Sequence, residues 1–159
     1  FNSKKFIKII KRKKYNLVFV FGTSMIKNEI IKLFKNCIYN FHGGNPESFR
    51  GLDSIYWSIF HNRFNGIVTT LHQLDKNFDT GKIFMIRKIP IKKNMKFYQL
   101  RYYNTINCIN MGRLLISRIQ NKKRLFLNKQ KKIGRYYSAM PTELKTYCIK
   151  KFEIYSRNK

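Results

Sequence analysis

Acidic residues are scarce in this sequence. The chain of 159 residues holds 7 Asp and Glu against 34 Lys and Arg, which gives a formal net charge of +27. Such a charge attracts polyanions, including nucleic acid, nucleotide phosphates and anionic membrane surfaces. The alternative is a solvated basic surface that follows from coding bias, because Lys, Asn, Ile, Phe and Tyr, whose codons are rich in A and T, are all abundant. The charge alone therefore does not define the function.

Cysteine and long apolar runs are also scarce. Cys37, Cys108 and Cys148 are widely spaced, form no CxxC pair and have no His at metal-ligand spacing. We therefore predict free thiols in a reducing cytoplasm and no metal site. The longest apolar run, Leu17 to Phe21, is far shorter than the ~20 residues that span a bilayer, so no membrane partner is predicted. The chain begins at Phe1 rather than at a methionine, which leaves open that it is a fragment.

The apolar residues, 43% of the chain, suffice for one domain with its own core, and their spacing alternates between that of strands and that of helices. The first strand, the helix after it and the second strand form a β-α-β unit, which implies a parallel, right-handed crossover. We predict an α/β fold with an open, mainly parallel, Rossmann-like sheet flanked by helices. The predicted elements are a helix at 4–14, a strand at 16–21, a helix capped by Ser24, a strand at 37–41, a helix at 52–61, strands at 66–74 and 82–91, a helix at 95–120, a hairpin within 124–140, and a helix that begins at Pro141.

Polar residues follow three of the predicted strands. Gly22–Ser24 come after the first strand, Asn40 and His42 end the second, and the loop 75–81 follows the third. Ligands of open α/β sheets bind at the carboxyl ends of strands, so we expect these loops to converge on one edge of the sheet. Asn40 and His42 are spaced i, i+2 and therefore point to the same face. His72, inside the third strand, is interpreted as structural.

Two segments carry a resemblance to a known family. The sequence NFHGGNPESFRGLD at 40–53, followed by LDKNFDTG at 74–81, resembles the formyltransferases that use N10-formyltetrahydrofolate. Asp79 follows His42 at nearly the family's separation, and the resemblance covers residues 16–91, roughly half of the chain. It implies a formyltransferase-type fold and direct transfer of a formyl group to a primary amine, without a metal or a covalent enzyme intermediate.

The resemblance assigns catalytic roles to Asn40, His42 and Asp79. Attack of an amine on the formyl carbon builds negative charge on the formyl oxygen, so the site needs fixed hydrogen-bond donors. The amide of Asn40 and a protonated imidazole at His42 are such donors. A carboxylate at Asp79 would favour the cationic form of the imidazole and orient its ring.

The resemblance also assigns the pocket for the formyl donor, N10-formyltetrahydrofolate. In the family the pteridine ring lies between the loop after the first of these strands and the loop that carries the aspartate. The residues implied to line this pocket, mostly through backbone hydrogen bonds, are Phe21, Gly22, Thr23, Met25, Leu74 and Asp75. The segment Gly43–Pro46 replaces the family's usual Ser-Leu-Leu-Pro. The resemblance therefore does not predict which residues of this loop contact the amine.

The chain is short relative to the family's catalytic domains. These place two or three further strands and helices before the segment that begins here near Asn16. We therefore divide the chain into a formyltransferase core at 1–94 that lacks the first strands, and a part at 95–159 with a helix, a hairpin and a closing helix packed on the same domain. Because an incomplete sheet would expose an apolar edge, we expect a homodimer.

The favoured acceptor is an amino sugar on a nucleotide carrier, in the cytoplasm. An initiator tRNA is disfavoured, because the tRNA enzymes have a further C-terminal β-barrel domain. Two alternatives stay open: an inactive or truncated formyltransferase homologue, and a basic nucleic-acid-binding module whose affinity would not depend on Asn40 or Asp79. Arg50 is open between a ligand for a substrate phosphate and a residue that stabilises the turn.

Overall fold

A computed structural model describes residues 2–34 and 36–159, which form a four-stranded sheet, a small two-stranded sheet and five helices. A short 3-10 turn at Phe64–Gly66 precedes the third strand of the larger sheet. The elements are α1 Lys4–Lys11, β1 Val18–Phe21, α2 Asn28–Leu33, β2 Ile38–His42, β3 Phe49–Gly51, α3 Ser54–Phe60, β4 Val68–Gln73, β5 Ile83–Lys88, α4 Gln99–Gln120, β6 Arg135–Tyr137 and α5 Thr142–Arg157.

The larger sheet has the strand order β1-β2-β4-β5. β1 and β2 pair in parallel with Val18 opposite Ile38, which confirms the predicted parallel pair on either side of α2. β4 is antiparallel to both of its neighbours. Three of the four strands therefore point the same way, and the α/β, Rossmann-like class is confirmed. The predicted mainly parallel sheet is also confirmed, and β4 is its one strand of opposite direction.

The two faces of the sheet pack against different helices. On one face, Val20 and Ile38 are buried in a cluster with Ile10 of α1 and Ile30 of α2. On the other face, aromatic and aliphatic side chains of β1, β2 and β4 pack against α4; these are Phe19, Tyr39, Phe41 and Leu71, with Met111 and Leu115 from the helix. Because side chains alternate along a strand, these contacts determine on which face of the sheet each side chain of β2 lies.

The helix α2 begins later than predicted. Its N-cap is Lys27 rather than Ser24, and the preceding segment is extended. The side chain of Asn2 explains this difference, because its Nδ2 donates to the carbonyl of Met25 at 2.9 Å and its Oδ1 accepts from the backbone N–H of Lys27 at 2.9 Å. Asn2 thereby satisfies backbone groups that a longer helix would have used.

The prediction of a hairpin within 124–140 is wrong. Asn128 forms an antiparallel bridge with Ile83 of β5, with backbone hydrogen bonds of 2.8 and 2.9 Å. Arg135–Tyr137 then pairs in parallel with Phe49–Gly51, so the segment runs from the sheet edge to β3 instead of pairing with itself. After it, α5 buries Cys148 and Phe152 in one cluster with Ile59 of α3.

Within the described residues, no helix combines the length and the apolarity that crossing a bilayer requires.

Candidate active site

β2 delivers Asn40 and His42 to the same face of the sheet. Ile38, two residues before Asn40, is buried against α1 and α2, while Phe41 points to the opposite face and contacts α4 at Gly112. This apolar anchoring on both faces fixes the register, since a slip by one residue would exchange the faces of all these side chains. His42 is buried, with 6% of its surface exposed.

Asp79 reaches these residues by a different path from the one predicted. Because β4 is antiparallel to β2, its last residue, Gln73, lies opposite Tyr39 near the start of β2. The expectation that all three loops meet at a shared carboxyl edge is therefore wrong for the third strand. The loop between β4 and β5 folds back over the face of the sheet, where the Asp79 carboxylate meets Asn40 and His42.

The carboxylate of Asp79 lies at the centre of four polar contacts. Its Oδ1 accepts from Nδ2 of Asn40 at 3.3 Å and lies 3.3 Å from Nε2 of His72. Its Oδ2 accepts from the backbone N–H of Gly51 at 2.8 Å and lies 3.5 Å from Nδ1 of His42. Burial raises the pKa of Asp79, but the hydrogen bond with His72, the charge of His42 and the Gly51 N–H together lower it to about 2. Asp79 is therefore ionised at neutral pH.

The imidazole of His42 has both nitrogens engaged within the protein. Nε2 lies 3.0 Å from the carbonyl oxygen of Phe49, and because a carbonyl only accepts, Nε2 carries a proton. Burial lowers the pKa of His42 by more than the negative charge of Asp79 raises it, and His72 lowers it further. The expectation of a cationic imidazole is thus corrected, because the structure favours the neutral ring.

His72 belongs to the same cluster, which the sequence interpretation did not foresee. β4 places it directly opposite Asn40, and its ring is fully buried. Its Nε2 lies 3.3 Å from both the Asn40 amide and the Asp79 carboxylate. The interpretation of His72 as structural therefore misses its contact with Asp79. Only the pairing register of β2 with β4 would have shown this proximity.

The strand β3 supports the site with each of its three residues. The carbonyl of Phe49 accepts from His42, and the N–H of Gly51 donates to Asp79. The side chain of Arg50 donates from Nη1 to the carbonyl of Phe78 at 2.9 Å and from Nε to the carbonyl of Gly134 at 2.6 Å. These contacts are those of a stabilising residue, which is one of the two roles considered for Arg50.

The loop that carries Asp79 is held at several further points. Asp75 accepts from the hydroxyl of Thr80 at 2.7 Å and from the backbone of Asn77 at 3.2 Å. Nε2 of Gln130 donates to the carbonyls of Asp79 at 2.7 Å and Gly81 at 3.0 Å. The backbone of Asp79 is in the left-handed region, with φ of 52°. Side chains from distant parts of the chain thus fix an unusual backbone conformation at Asp79.

A cavity of about 610 Å³ opens over this cluster. Its volume is in the range of small-molecule binding sites. The cavity is lined by Asn40, His42 and Asp79 and also by all of the residues predicted for the cofactor pocket, which are Phe21, Gly22, Thr23, Met25, Leu74 and Asp75. Asn104 of α4 and Tyr136 of β6 line it as well and were not predicted, since only the tertiary fold brings them there.

The charge at the cavity differs from the charge of the chain. Of the 7 acidic residues in the sequence, three line the cavity, namely Asp53, Asp75 and Asp79. Among its described lining residues, Lys76 is the one Lys or Arg, although the chain holds 34. The basic surface is therefore concentrated elsewhere, and the cavity is not itself a polyanion groove.

The cluster combines groups suited to acyl chemistry. Asn40 supplies an amide donor that needs no titration, and His42 supplies a buried neutral imidazole next to an ionised carboxylate. Such a set can stabilise a developing oxyanion and move a proton. Within the described residues, no group of three or more His, Cys, Asp or Glu side chains could hold a metal ion.

The comparisons with known proteins agree with this geometry. The family model described as formyl transferase matches residues 3–106. The chain belongs to the formyl transferase family. GDP-perosamine N-formyltransferases from Brucella melitensis and Brucella abortus are each 31% identical to this chain over 80 residues. The match covers 48% of this chain and 29% of each relative, so it spans less than a third of the curated relatives.

Solved structures show the same fold. The formyltransferase PseJ from Anoxybacillus kamchatkensis, in complex with UDP-4,6-dideoxy-4-formamido-L-AltNAc and tetrahydrofolate, superposes with a TM-score of 0.72 at 20% identity, over 92% of this chain and 80% of that chain. A 4-N formyltransferase from Francisella tularensis gives a TM-score of 0.70 at 18% identity, over 94% and 64% of the two chains. The formyltransferase-type fold expected from the sequence is thus confirmed.

Proposed function

We propose that this protein transfers a formyl group from N10-formyltetrahydrofolate to a primary amine. The observation that carries the proposal is the meeting of Asn40, His42 and Asp79 beside one cavity in a member of the formyl transferase family. The cavity is large enough for a pteridine ring together with an acceptor amine. Asn40, His42 and Asp79 are the proposed catalytic residues.

The favoured acceptor is an amino sugar on a nucleotide carrier. The curated relatives are named GDP-perosamine N-formyltransferases, and PseJ is described in complex with a UDP-linked formamido sugar and tetrahydrofolate. Both names support a nucleotide-linked amino sugar for this chain. The exposed aromatic side chain of Tyr136 at the cavity offers a surface for a nucleoside base.

The arrangement suggests how the reaction proceeds. The amine attacks the formyl carbon, and the second N–H of the Asn40 amide donates to the developing oxyanion. Neutral His42 accepts the proton that the amine loses, and the carboxylate of Asp79, 3.5 Å away, stabilises the resulting imidazolium. The imidazolium then returns the proton to N10 as the carbon–nitrogen bond breaks, which yields the formamide and tetrahydrofolate. Nε2 of His42 contacts Phe49 and Nδ1 contacts Asp79. The ring must therefore give up one of these two contacts when it exchanges a proton with the substrates.

Release of tetrahydrofolate tests the proposal. The purified protein is incubated with N10-formyltetrahydrofolate and a panel of nucleotide-linked amino sugars. Activity with at least one acceptor is expected, and His42→Ala and Asp79→Ala should each lower kcat/KM by about 10²-fold or more. His61→Ala is the matched control, because His61 is exposed and contacts Tyr137 outside the cavity. Absence of release with every acceptor, together with absence of folate binding, would contradict the proposal.

We further propose that Phe21, Gly22, Thr23, Met25, Leu74 and Asp75 bind the formyl donor. The side chain of Asp75 is engaged by Thr80, which supports the expectation that its backbone faces the ligand. Calorimetry with 5-formyltetrahydrofolate, a non-transferring analogue, measures this binding directly. Met25→Asp should weaken it, because Met25 is apolar, exposed and lines the cavity.

Three further expectations stay proposals. We propose that the protein resides in the cytoplasm, in keeping with its three free cysteines. We propose that residues 1–94 form the core and that residues 95–159 complete the same domain, supported by the pairing of β6 with β3. We propose a homodimer through the open side of β1, and light scattering at micromolar concentration would contradict it by giving the mass of one chain.

A further inference from the structure

The helix α4 meets the sheet with apolar side chains at its centre and with two asparagines nearer its N-terminus. Met111 and Leu115 are fully buried against the sheet. Asn107 and Asn104 lie one and two turns before Met111, and therefore on the same side of the helix. Both contact the side chain of Thr69 in β4, which is fully buried. The polar pair thus lies where the periodicity places apolar residues, which indicates a role other than core packing.

A chain of hydrogen bonds determines the orientation of the Asn104 amide. Nδ2 of Asn107 donates to the carbonyl oxygen of Lys88 at 3.3 Å, and because a carbonyl only accepts, this side-chain atom is the nitrogen. The same Nδ2 donates to Oγ1 of Thr69 at 3.3 Å, so the hydroxyl hydrogen of Thr69 needs another acceptor. That acceptor is Oδ1 of Asn104, at 2.7 Å. The oxygen of the Asn104 amide therefore faces Thr69, and its nitrogen faces away.

The nitrogen of the Asn104 amide is a free donor at the cavity. No acceptor among the described residues contacts Nδ2 of Asn104. In the part of the chain that the structure describes, Oε1 of Gln130 is the one buried side-chain nitrogen or oxygen without a hydrogen-bond partner, so Nδ2 of Asn104 is not buried. Because Asn104 lines the cavity, its two N–H groups are available to a ligand there.

Asn104 belongs to a different wall of the cavity from the proposed folate residues. Leu74, which is proposed to contact the folate, packs with the cluster of α1 and α2 on one face of the sheet. Asn104 comes from α4, which covers the opposite face. Its neighbour Tyr103 packs in one cluster with Ile55 and Tyr56 of α3, and these two residues also line the cavity. The free amide therefore lies on the side of the cavity that the folate leaves to the acceptor.

We propose that Asn104 determines acceptor specificity, by donating a hydrogen bond from Nδ2 to an oxygen of the nucleotide-linked amino sugar. This inference rests on the proposed function, because it concerns the acceptor of that reaction. A sugar that places a hydroxyl or carbonyl oxygen at this point gains a partner for the amide. Its deoxy analogue removes water from the N–H without replacing that hydrogen bond, and is therefore disfavoured.

Side-chain amide signals test this contact without any turnover. Each nucleotide-linked amino sugar of the panel is added to the ¹⁵N-labelled protein in the presence of 5-formyltetrahydrofolate, which does not transfer its formyl group. The NH₂ pair of Asn104 is assigned by its absence from the spectrum of Asn104→Asp, which keeps an acceptor for Thr69. We expect at least one sugar to bind and to shift this pair.

The possible results separate this proposal from the proposed function. Sugars that bind and leave the Asn104 pair unmoved would overturn the specificity role, and so would a panel of which no member binds. A sugar that binds and shifts the pair, but is never formylated when N10-formyltetrahydrofolate is supplied, would support the contact and contradict only the proposed function.

Kinetics of Asn104→Leu measure the contribution of the contact to the reaction. The substitution removes the donor at nearly constant side-chain volume, and Asn104 makes no hydrogen bond with the three proposed catalytic residues. We therefore expect KM for the acceptor to rise about 3–10-fold, the effect of one neutral hydrogen bond, with little change in kcat. For pairs of sugars that differ by one hydroxyl, the ratio of kcat/KM values should fall for the pair whose hydroxyl contacts Asn104.

Two further variants identify the origin of the effect. Thr69→Val removes the hydroxyl that orients the amide, and should give a smaller rise of the same KM. Asn110→Leu is the matched control, because Asn110 is exposed on the same helix and does not line the cavity; its KM should not change.

A structural role for Asn104 predicts a different set of results. A folded Asn104→Leu protein with lower stability and an unchanged KM for every acceptor would overturn the proposal. Weaker binding of 5-formyltetrahydrofolate with an unchanged acceptor KM would do the same, because it would place the amide against the formyl donor. Circular dichroism melts establish that each variant is folded, and if Asn104→Leu does not fold, the amide spectra carry the test.

Discussion

At the scale of single residues, the buried carboxylate of Asp79 links the site to stability. Its pKa is lowered from the usual 3.8 to about 2 in the folded protein. A lowered pKa stabilises the fold at pH values above the usual value, and this contribution is lost as the pH falls towards 2. The shift corresponds to about 2 kcal/mol, since each pKa unit is about 1.4 kcal/mol.

Asp79→Asn should therefore lower the free energy of unfolding by about 2 kcal/mol at pH 7, because the amide cannot gain from the charge of the cluster. Urea unfolding at a series of pH values measures this. The difference from the unsubstituted protein should shrink as the pH falls from about 4 to about 2. Glu153→Gln is the control, because Glu153 pairs with exposed Lys96 and its loss should be small and sensitive to salt. A difference that does not depend on pH would contradict the prediction.

Gly51 occupies a position at which only a residue without a Cβ fits. Its φ is 91°, and a Cβ there would lie 2.2 Å from the carbonyl oxygen of Tyr137. Gly51→Ala should destabilise the protein by at least about 3 kcal/mol, since conformational strain of 1–3 kcal/mol is added to a clash with the backbone of β6. Gly22→Ala is the matched control: its φ is also positive, at 60°, but the surrounding space is open.

The strain at Gly22 alone should cost only about 1–2 kcal/mol. Urea unfolding of the two variants side by side gives the comparison. Equal losses of stability would show that the close approach of β3 to β6 contributes nothing.

The sequence allowed some site residues to be predicted and not others. The i, i+2 spacing of Asn40 and His42 is a local property of a strand, so their common face could be read directly. Asp79 was identified by resemblance, but the edge-convergence argument for it failed because β4 runs antiparallel. His72 belongs to the site because it pairs with Asn40 across the two strands, and Gln130 because it contacts Asp79, 51 positions away in sequence. Neither contact leaves a local pattern in the sequence.

At the scale of elements, the loop 75–81 depends on the segment 124–140. Gln130→Ala removes the hydrogen bonds to the carbonyls of Asp79 and Gly81, at 2.7 and 3.0 Å. Each is worth about 0.5–1.5 kcal/mol, so the free energy of unfolding should fall by about 1–3 kcal/mol. The main expected effect is local: hydrogen–deuterium exchange should accelerate in residues 74–82, because the loop loses its attachment.

Gln120→Ala provides the control for this experiment. Gln120 is exposed at the last position of α4, so its substitution should change neither the exchange of the loop nor the stability by more than about 0.5 kcal/mol. Unaltered exchange of residues 74–82 in Gln130→Ala would show that β3 alone holds the loop.

Elements with strong periodicity were predictable, and short ones were not. The apolar runs of β1, β2 and β4 and the long helix α4 appear close to their predicted positions. β3 and β6 have three residues each and pair across more than eighty positions of chain, so no local pattern distinguishes them from loops. The false hairpin has the same origin, because a hairpin is the nearest partner that a short strand can have.

At the scale of the whole molecule, the net charge of +27 opposes compaction. Raising NaCl from about 0.05 to 0.5 M screens this repulsion and should increase the free energy of unfolding. Thermal unfolding across the series measures the effect. A charge-reducing variant, Lys123→Glu, replaces an exposed residue and should gain less from salt than the unsubstituted chain. Destabilisation by salt would instead mean that surface ion pairs outweigh the repulsion.

The pairing of β6 with β3 has a consequence for biosynthesis. Within β3, Phe49 contacts His42 and Gly51 contacts the Asp79 carboxylate, and Gln130 holds the loop of Asp79. The pairing partner of β3 is β6, at residues 135–137. Most of the larger sheet is translated well before those last contacts exist. On the ribosome, a nascent chain can therefore build its scaffold first, and it gains an ordered reaction centre only after residues 130–137 have emerged.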